Sequence, residues 1–307
     1  LSPPLVISRA QIDELAEKLQ MDPLDLRKKN DPSPVRQMQY DIGAKAIGWE
    51  RRSKKAGDAK GPRKRGLGMA NGEWTGIHWV VLGLAHLGCA IIFANFVYVF
   101  TYGYAVSMVI VNLGVMAWRP VPAVLLVAGL GLTYGLRLLW FVHARYRSPS
   151  YSGNRERADK ANANVPLPLR LFMWVSCGWL MAFVAMPAWV VAATGTLTPG
   201  ILAGAGVMLA GVLLEAVADQ QKQAAKTRNP GGLVTGGLYA RLRHPNYLGE
   251  IVFQIGLIVV AVTAAPGGWA LAAGVAGPLY IAILMYYAAG DQDHQQSQRY
   301  GTDPAYQ

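Results

Sequence analysis

The chain has 307 residues, of which 52% are hydrophobic and only 15% are charged. Soluble domains carry about a quarter charged residues, so this composition argues against a soluble protein. The formal net charge of +11 does not by itself predict a nucleic-acid partner, because Lys and Arg beside apolar runs usually set membrane orientation or contact lipid head groups and ligand phosphates. Cys89 and Cys177 lie inside apolar runs and predict neither a disulfide nor a metal site.

Residues 1–75 form a polar segment that is rich in Pro and Gly. Its opening stretch Ile7–Leu19 has the spacing of a short amphipathic helix, and the basic cluster Arg51–Arg65 is expected to be a solvated arm. Three stretches resemble the molybdopterin-binding subunit of the xanthine dehydrogenase and aldehyde oxidase family, namely Met21–Asn30, Gln39–Arg52 and Arg65–Trp74. No cofactor-binding segment of that family is visible in the sequence. We therefore expect a fusion remnant, or a gene start near Met69, rather than a molybdenum domain.

Residues 76–307 are predicted to form an all-α, polytopic membrane domain with a cofactor pocket that faces the cytoplasm. About twenty apolar residues suffice for a helix to cross the hydrocarbon core with its backbone hydrogen bonds satisfied internally. The seven predicted membrane-spanning helices are Ile77–Val97, Tyr98–Trp118, Val121–His143, Pro168–Ala192, Pro199–Gln220, Pro245–Ala265 and Gly268–Gly290.

The charged breaks between these spans predict their orientation. The breaks Ala144–Leu167 and Gln221–His244 are basic, whereas Thr194–Pro199 and Ala265–Gly268 carry no charge. The positive-inside rule therefore places the basic breaks in the cytoplasm and the N-terminus of the bundle outside. Fifteen Lys and Arg residues before Trp74 oppose this arrangement, and the conflict favours the interpretation of the polar segment as a foreign fragment.

The segment Gly236–Glu250 indicates a ligand site at the membrane surface. Pro245 suits the first turn of a helix, whose N-terminus offers free N–H groups and a positive dipole end to a phosphate. Cationic side chains precede this helix, and an amide and a carboxylate share one of its faces: Arg241, Arg243, His244, Asn246 and Glu250. Other candidates lie elsewhere. The third span has Tyr134, Arg137 and Phe141 at helical spacing, and the end of the fifth span has Glu215 and Asp219 four residues apart. Arg228 and Asn229 precede the turn Pro230-Gly231 in the basic break that follows.

This constellation resembles the steroid 5α-reductase-like membrane enzymes, which share a fold with sterol reductases and isoprenylcysteine carboxyl methyltransferases. The stretches that carry the resemblance are Leu213–Gln221, Arg228–Gly232, Gly236–Glu250 and Arg299–Gln307. The resemblance covers about residues 76–307. It implies that the chain takes NADPH from the cytoplasmic side and reduces an activated carbon–carbon double bond in a lipophilic, steroid- or isoprenoid-like substrate.

By motif position, the resemblance also implies particular site residues. The implied cofactor-binding residues are Arg145, Arg147, Asp219, Arg228, Asn229, Arg243, His244, Asn246, Tyr247 and Glu250. The implied catalytic residues are Tyr134, Tyr247 and Glu250, with Tyr134 as the expected proton donor. The first two predicted spans contain no acidic residue, unlike those of steroid 5α-reductases. This difference argues against a 3-oxo-steroid substrate and makes Tyr102 or Tyr104 an alternative donor.

Two other functions remain open from the sequence. One is an S-adenosylmethionine-dependent membrane methyltransferase, because related enzymes bind that cofactor in an equivalent pocket. The other is a non-enzymatic membrane protein whose basic loops bind anionic lipid. The number of arginines at the basic breaks favours a nucleotide with several phosphates over S-adenosylmethionine, which has none. The predicted partners are therefore a lipophilic small molecule and membrane lipid, without nucleic acid and without metal.

Overall fold

The described part of the chain is helical and falls into two units. The computed structural model describes residues 9–31, 34–52, 77–265 and 268–302. Every regular element within these ranges is a helix. The two compact units are Leu1–Thr75 and Gly76–Gln307. Most of the predicted basic arm Arg51–Arg65, and the stretch Arg65–Trp74, lie outside the described residues.

The first unit contains three short helices, α1 (Arg9–Lys18), α2 (Pro23–Asn30) and α3 (Pro34–Ile47). Helix α1 covers most of the predicted amphipathic helix Ile7–Leu19. Leu24, Tyr40 and Trp49 pack together as a small core. Residues of the predicted fragment therefore pack against one another, while its origin as a fusion remnant stays a prediction.

Asp22 ties the start of α2 to the end of this unit. Its carboxylate accepts hydrogen bonds from the Leu24 backbone N at 2.8 Å, from Trp49 Nε1 at 3.1 Å and from the Arg52 guanidinium at 2.6 Å. Burial by itself would raise the pKa of Asp22, but these hydrogen bonds and the Arg52 charge outweigh burial and lower the pKa. Its stabilising contribution is therefore complete above the ordinary Asp pKa and is lost as the pH falls through the lowered value.

The second unit is a helical bundle with one short surface helix. Its helices are α4 (Ile77–Cys89), α5 (Tyr102–Trp118), α6 (Pro122–Arg147), α7 (Ser152–Ala163), α8 (Leu167–Thr194), α9 (Pro199–Arg228), α10 (Pro245–Ala264) and α11 (Gly268–Tyr300). Proline occupies the first turn of α6, α8, α9 and α10, where its missing N–H leaves no helical hydrogen bond unmade.

Five helices in the described residues are long and apolar enough to cross a membrane: α6, α8, α9, α10 and α11. Two shorter apolar stretches, Trp79–Phe93 and Tyr102–Trp118, accompany them. The chain is accordingly a multi-pass membrane protein, and the count of seven spans stays a prediction.

The predicted boundary between the first two spans differs from the structure. Helix α4 ends at Cys89, and 3₁₀ turns at Ala90–Phe93 and Phe96–Phe100 follow it. The Asn95 side chain accepts a hydrogen bond from the Val97 backbone N at 3.0 Å and so caps the second turn. Hydropathy alone could not locate this cap, because the residues on both sides of it are apolar.

Both basic breaks lie at one end of the bundle, which we call the polar end: α7, the last turns of α6, α9 and α11, and the first turn of α10. Arg145 at the end of α6 interacts electrostatically with Asp219 on α9. His244, the N-cap residue of α10, lies 2.9 Å from Asp293 on α11. Helices α9 and α11 extend beyond the predicted span ends, Gln220 and Gly290, into polar residues. The cytoplasmic location of this end stays a prediction.

Helices α9 and α10 pack with their backbones in close contact. A Cβ atom on Gly249 would lie 2.6 Å from the Glu215 backbone N, and one on Gly211 would lie 2.4 Å from the Phe253 backbone N. Small residues at such positions let membrane helices approach closely. This contact places the side chains of Glu215 and Glu250, the neighbour of Gly249, on adjoining helix faces.

We predict that Gly249→Ala destabilises the bundle by about 1–3 kcal/mol, because the added methyl group meets backbone atoms that cannot move aside. The matched control is Gly206→Ala on α9, where an added Cβ meets nothing within 4 Å. That control should be neutral or stabilising by up to about 1 kcal/mol, since Ala is the better helix former. The measurement is thermal unfolding in detergent, and equal midpoints for the two variants would contradict the close packing.

Candidate functional site: a buried polar cluster below a basic cleft

Arg137 on α6 is held between two carboxylates of α9. Its Nη1 donates a hydrogen bond to Asp219 Oδ2 at 2.7 Å, and its Nη2 forms a short ion pair with Glu215 Oε1. Side-chain exposure is 14% for Arg137 and 6% for each carboxylate. Glu215 and Asp219 are four residues apart, so one face of α9 presents both carboxylates to the guanidinium.

A second hydrogen-bonded group joins α5 to α10. The Tyr104 hydroxyl donates to Glu250 Oε1 at 3.0 Å and accepts from Gln254 Nε2 at 3.1 Å. Gln254 is 0% exposed, whereas Tyr104 and Glu250 are half-buried. The tyrosine hydroxyl therefore links two polar side chains that lie one turn apart on α10.

Tyr134 on α6 lies between these two groups. Its side chain is 0% exposed and its ring stacks on Phe253 with centroids 4.3 Å apart. The Tyr104 ring meets it edge-on at 6.2 Å, and the Arg137 guanidinium lies 5.6 Å from its centroid. Packing on three sides therefore fixes the direction of the Tyr134 hydroxyl, which lies in the field of the Glu215 and Glu250 carboxyls.

We call these side chains the buried cluster: Tyr104, Tyr134, Arg137, Glu215, Asp219, Glu250 and Gln254. Three buried polar atoms of the cluster find no hydrogen-bond partner within the described residues: Arg137 Nε, Glu215 Oε2 and Gln254 Oε1. A buried polar atom without a partner costs about 1–3 kcal/mol. A group of such atoms is typical of a place that holds water or another polar group.

The buried cluster contains more acidic groups than basic groups. It contains three carboxyl groups and one guanidinium. Towards the polar end, Arg145 and Lys222 interact electrostatically with Asp219 and offset part of the excess. The cluster therefore has an acidic interior below a basic rim.

A basic cleft lies at the polar end, between α9, α11 and the segment that joins α9 to α10. It is lined by Lys222, Lys226, Leu233, Val234, Tyr239, Arg243, Gln296 and Tyr300. Lys226 Nζ donates to the Gly232 carbonyl at 2.8 Å and lies 5.9 Å from the centroid of the Tyr300 ring. Lys222 is attracted by Asp219 and repelled by Arg145 and Lys226, and an anion bound in this cleft would offset that repulsion.

Tyr239 connects the cleft to the helix start that the sequence singled out. Its hydroxyl donates to Asn246 Oδ1 at 3.3 Å. Burial raises the pKa of Tyr239, and the negative charge of Asp219 and the nearby Tyr247 raise it further. The hydroxyl therefore stays protonated over the physiological pH range and remains a hydrogen-bond donor.

A family model described as "Protein of unknown function (DUF1295)" matches residues 88–307, more than two thirds of the chain. The chain belongs to the DUF1295 family. The match contains α5 to α11 and therefore the whole buried cluster and the basic cleft. No curated protein and no solved structure matches the chain.

The DUF1295 segment brings several of the predicted site residues together. Tyr134, Asp219 and Glu250 lie in the buried cluster, and Arg243 lines the cleft. Asn246 contacts the cleft residue Tyr239. These placements join three separate sequence segments in one region: Tyr134 on α6, Asp219 on α9, and the start of α10.

Other predicted site residues lie around this region or point away from it. His244 bonds Asp293 and stacks on Tyr247 with ring centroids 5.6 Å apart. Arg145 lies over the rings of Phe141 and Tyr151, at 5.2 and 5.0 Å. Three residues are exposed and outside the cleft lining: Arg147, Arg228 and Asn229. The Asn229 side chain instead accepts a hydrogen bond from the Gly232 backbone N at 3.0 Å.

Sequence reasoning missed several residues of the site. Gln254 follows Glu250 by four positions, a spacing that could have placed it on the same helix face. Lys222 and Lys226 are likewise four apart on α9, one turn beyond Asp219. Four-residue spacing could not have identified Asp293, Tyr239 and Tyr300. They come close to the site only because α11 and the turn before α10 pack beside it. Among the described residues, no group of three or more His, Cys, Asp or Glu side chains could hold a metal ion.

We predict that Arg137→Leu destabilises the bundle by about 3–5 kcal/mol, because it leaves Glu215 and Asp219 buried without their cation. The triple variant Arg137→Leu, Glu215→Leu and Asp219→Leu should recover much of that loss, since apolar side chains of similar size can replace a buried ion network. Thermal unfolding in detergent measures the stability of the single and the triple variant. A single variant as stable as the parent protein would contradict the assigned pairing.

Proposed function

We propose that this DUF1295 member is an NADPH-dependent membrane reductase of an activated carbon–carbon double bond in a lipophilic, steroid- or isoprenoid-like substrate. The observation that carries the proposal is the position of the buried cluster directly below a basic cleft at one end of an apolar bundle. The cleft supplies positive charge for phosphates, and the cluster supplies hydroxyl and carboxyl groups for proton transfer. The resemblance to the steroid 5α-reductase-like enzymes supports the same assignment.

The residues of the cleft fit the phosphate-bearing part of the cofactor. Lys222, Lys226 and Arg243 offer three cations, which pair with phosphate through charge-assisted hydrogen bonds. Tyr239 and Asn246 would then extend the site from the cleft towards Glu250.

When bound, NADPH supplies the hydride for the β-carbon of the substrate. The role of the chain is to stabilise the developing enolate oxygen and to deliver a proton. Tyr134 fits the first task, because its buried hydroxyl has a fixed direction and lies beside the Tyr104 hydroxyl and the Glu250 carboxyl. Tyr104 and Glu250 fit the second task, because the hydrogen bond between them already joins a proton donor to a carboxyl group.

The apolar bundle supports a lipophilic substrate. The helices around the cluster are apolar outside it, so a molecule that dissolves in the bilayer can approach between them. Exclusion of water from this interior would protect hydride transfer from competing reactions. A lipid-binding role without catalysis accounts for the basic rim, but it does not explain the buried polar atoms of the cluster that have no hydrogen-bond partner.

A second candidate function is methyl transfer from S-adenosylmethionine. One observation favours it: the buried cluster holds more carboxyl groups than guanidinium groups, and a positively charged sulfonium would balance them. The basic cleft favours NADPH, because S-adenosylmethionine carries no phosphate. Binding measurements with the two cofactors separate these functions.

We predict that the detergent-purified protein binds NADPH more tightly than NADH, and that Lys222→Ala weakens NADPH binding by about tenfold or more. Loss of one charge-assisted hydrogen bond to phosphate costs about 1.5–3 kcal/mol. The control is Lys160→Ala, which removes the same charge from the exposed surface of α7. Equal losses in the two variants, or tight binding of S-adenosylmethionine instead of NADPH, would contradict the reductase assignment.

We predict that Tyr134→Phe lowers kcat for NADPH oxidation by about 10²–10³-fold, because it removes the donor to the enolate oxygen. The dissociation constant of NADPH should not change. The assay uses an isoprenoid enal as the probe substrate. Tyr286→Phe, at a side chain that is 72% exposed on α11, should leave both constants unaltered. Full activity of Tyr134→Phe would remove Tyr134 from the mechanism.

A further inference from the structure

We infer that the buried cluster binds a lipophilic molecule that carries a hydroxyl group, and that Gln254 recognises this hydroxyl as a hydrogen-bond acceptor. The ligand class is therefore a lipid-soluble alcohol or phenol. The inference rests on the proposed function in one respect, namely that a lipophilic molecule reaches the cluster. Gln254 has no role in the reductase assignment itself.

The hydrogen bonds of Tyr104 determine the orientation of the Gln254 amide. A tyrosine hydroxyl has one hydrogen to donate, and the Tyr104 hydroxyl donates it to Glu250 Oε1 at 3.0 Å. The contact of 3.1 Å between Tyr104 Oη and Gln254 must therefore be donated by the amide NH₂ group. The amide oxygen is consequently directed away from Tyr104.

The amide oxygen of Gln254 is the atom that indicates a bound ligand. Gln254 is 0% exposed, and its Oε1 has no hydrogen-bond partner in the part of the chain that the structure describes. A buried acceptor without a donor favours a molecule that donates a hydrogen bond, and a hydroxyl group does so without the cost of burying a charge.

The depth of Gln254 argues for a lipophilic donor. Gln254 lies nine residues after Pro245, at about 14 Å from the start of α10, and the apolar stretch from Ile255 to Ala264 follows it. A hydroxyl on an apolar molecule satisfies the acceptor and fits the apolar surroundings at the same time.

The test compares alcohols with their methyl ethers, which keep the oxygen but cannot donate. The probes are cholesterol and farnesol, each competing with its tritiated form for the full-length protein in detergent, without NADPH. We expect at least one alcohol to displace the label at a concentration at least about tenfold lower than its methyl ether, because one acceptor is left unpaired by the ether. This readout is independent of reductase activity, so its failure and the failure of the reductase proposal are distinguishable.

Two variants connect the preference to Gln254. Gln254→Met keeps the volume of the side chain and should reduce the ratio of ether to alcohol concentrations to about one. Tyr104→Phe removes the partner that orients the amide, and the ratio should fall there as well. Gln220→Met, on the exposed surface of α9, should keep the parental ratio.

Several results would overturn the inference. Equal displacement by alcohols and ethers in the parent protein would show that the acceptor is satisfied by a buried water molecule. Absence of binding by both alcohols would also overturn the inference. A parental ratio in Gln254→Met would assign the hydroxyl preference to another side chain.

Discussion

Arg137 is buried between Glu215 and Asp219 inside an apolar bundle, and this ion network constrains the rest of the site. Charges are costly to bury unless they are paired in good geometry. The two carboxylates come from one face of α9 and the guanidinium from α6, so the register between these two helices is fixed. Tyr134 lies one turn before Arg137 on α6, and its position follows from the same register.

The close contact between α9 and α10 adds the second half of the site. Gly249 and Gly211 let the two backbones touch, and Glu250 and Gln254 thereby come beside the Arg137 network. Tyr104 joins them from α5. Because α9 continues in polar residues past Asp219, its lysines line the basic cleft directly above the buried cluster. One helix, α9, therefore carries both the acidic interior and part of the basic rim.

Much of this arrangement can be predicted from the sequence, and there is a physical reason why the rest cannot. Apolar length predicted the long helices, Pro245 predicted the start of α10, and four-residue spacing paired Glu215 with Asp219. Spacing describes one helix face and says nothing about the helix opposite. The contacts of Arg137 with α9, and of Tyr104 with α10, therefore could not be predicted. The break near Asn95 was missed because a single polar side chain, which caps the turn Phe96–Phe100, lies within an apolar run.

The most direct test of a nucleotide site above the buried cluster is mass spectrometry of small molecules that stay bound to the protein after purification in mild detergent. The account predicts NADP(H), at a stoichiometry near one per chain. Retained S-adenosylmethionine would contradict it, as would a protein that carries no nucleotide and does not take up added NADPH.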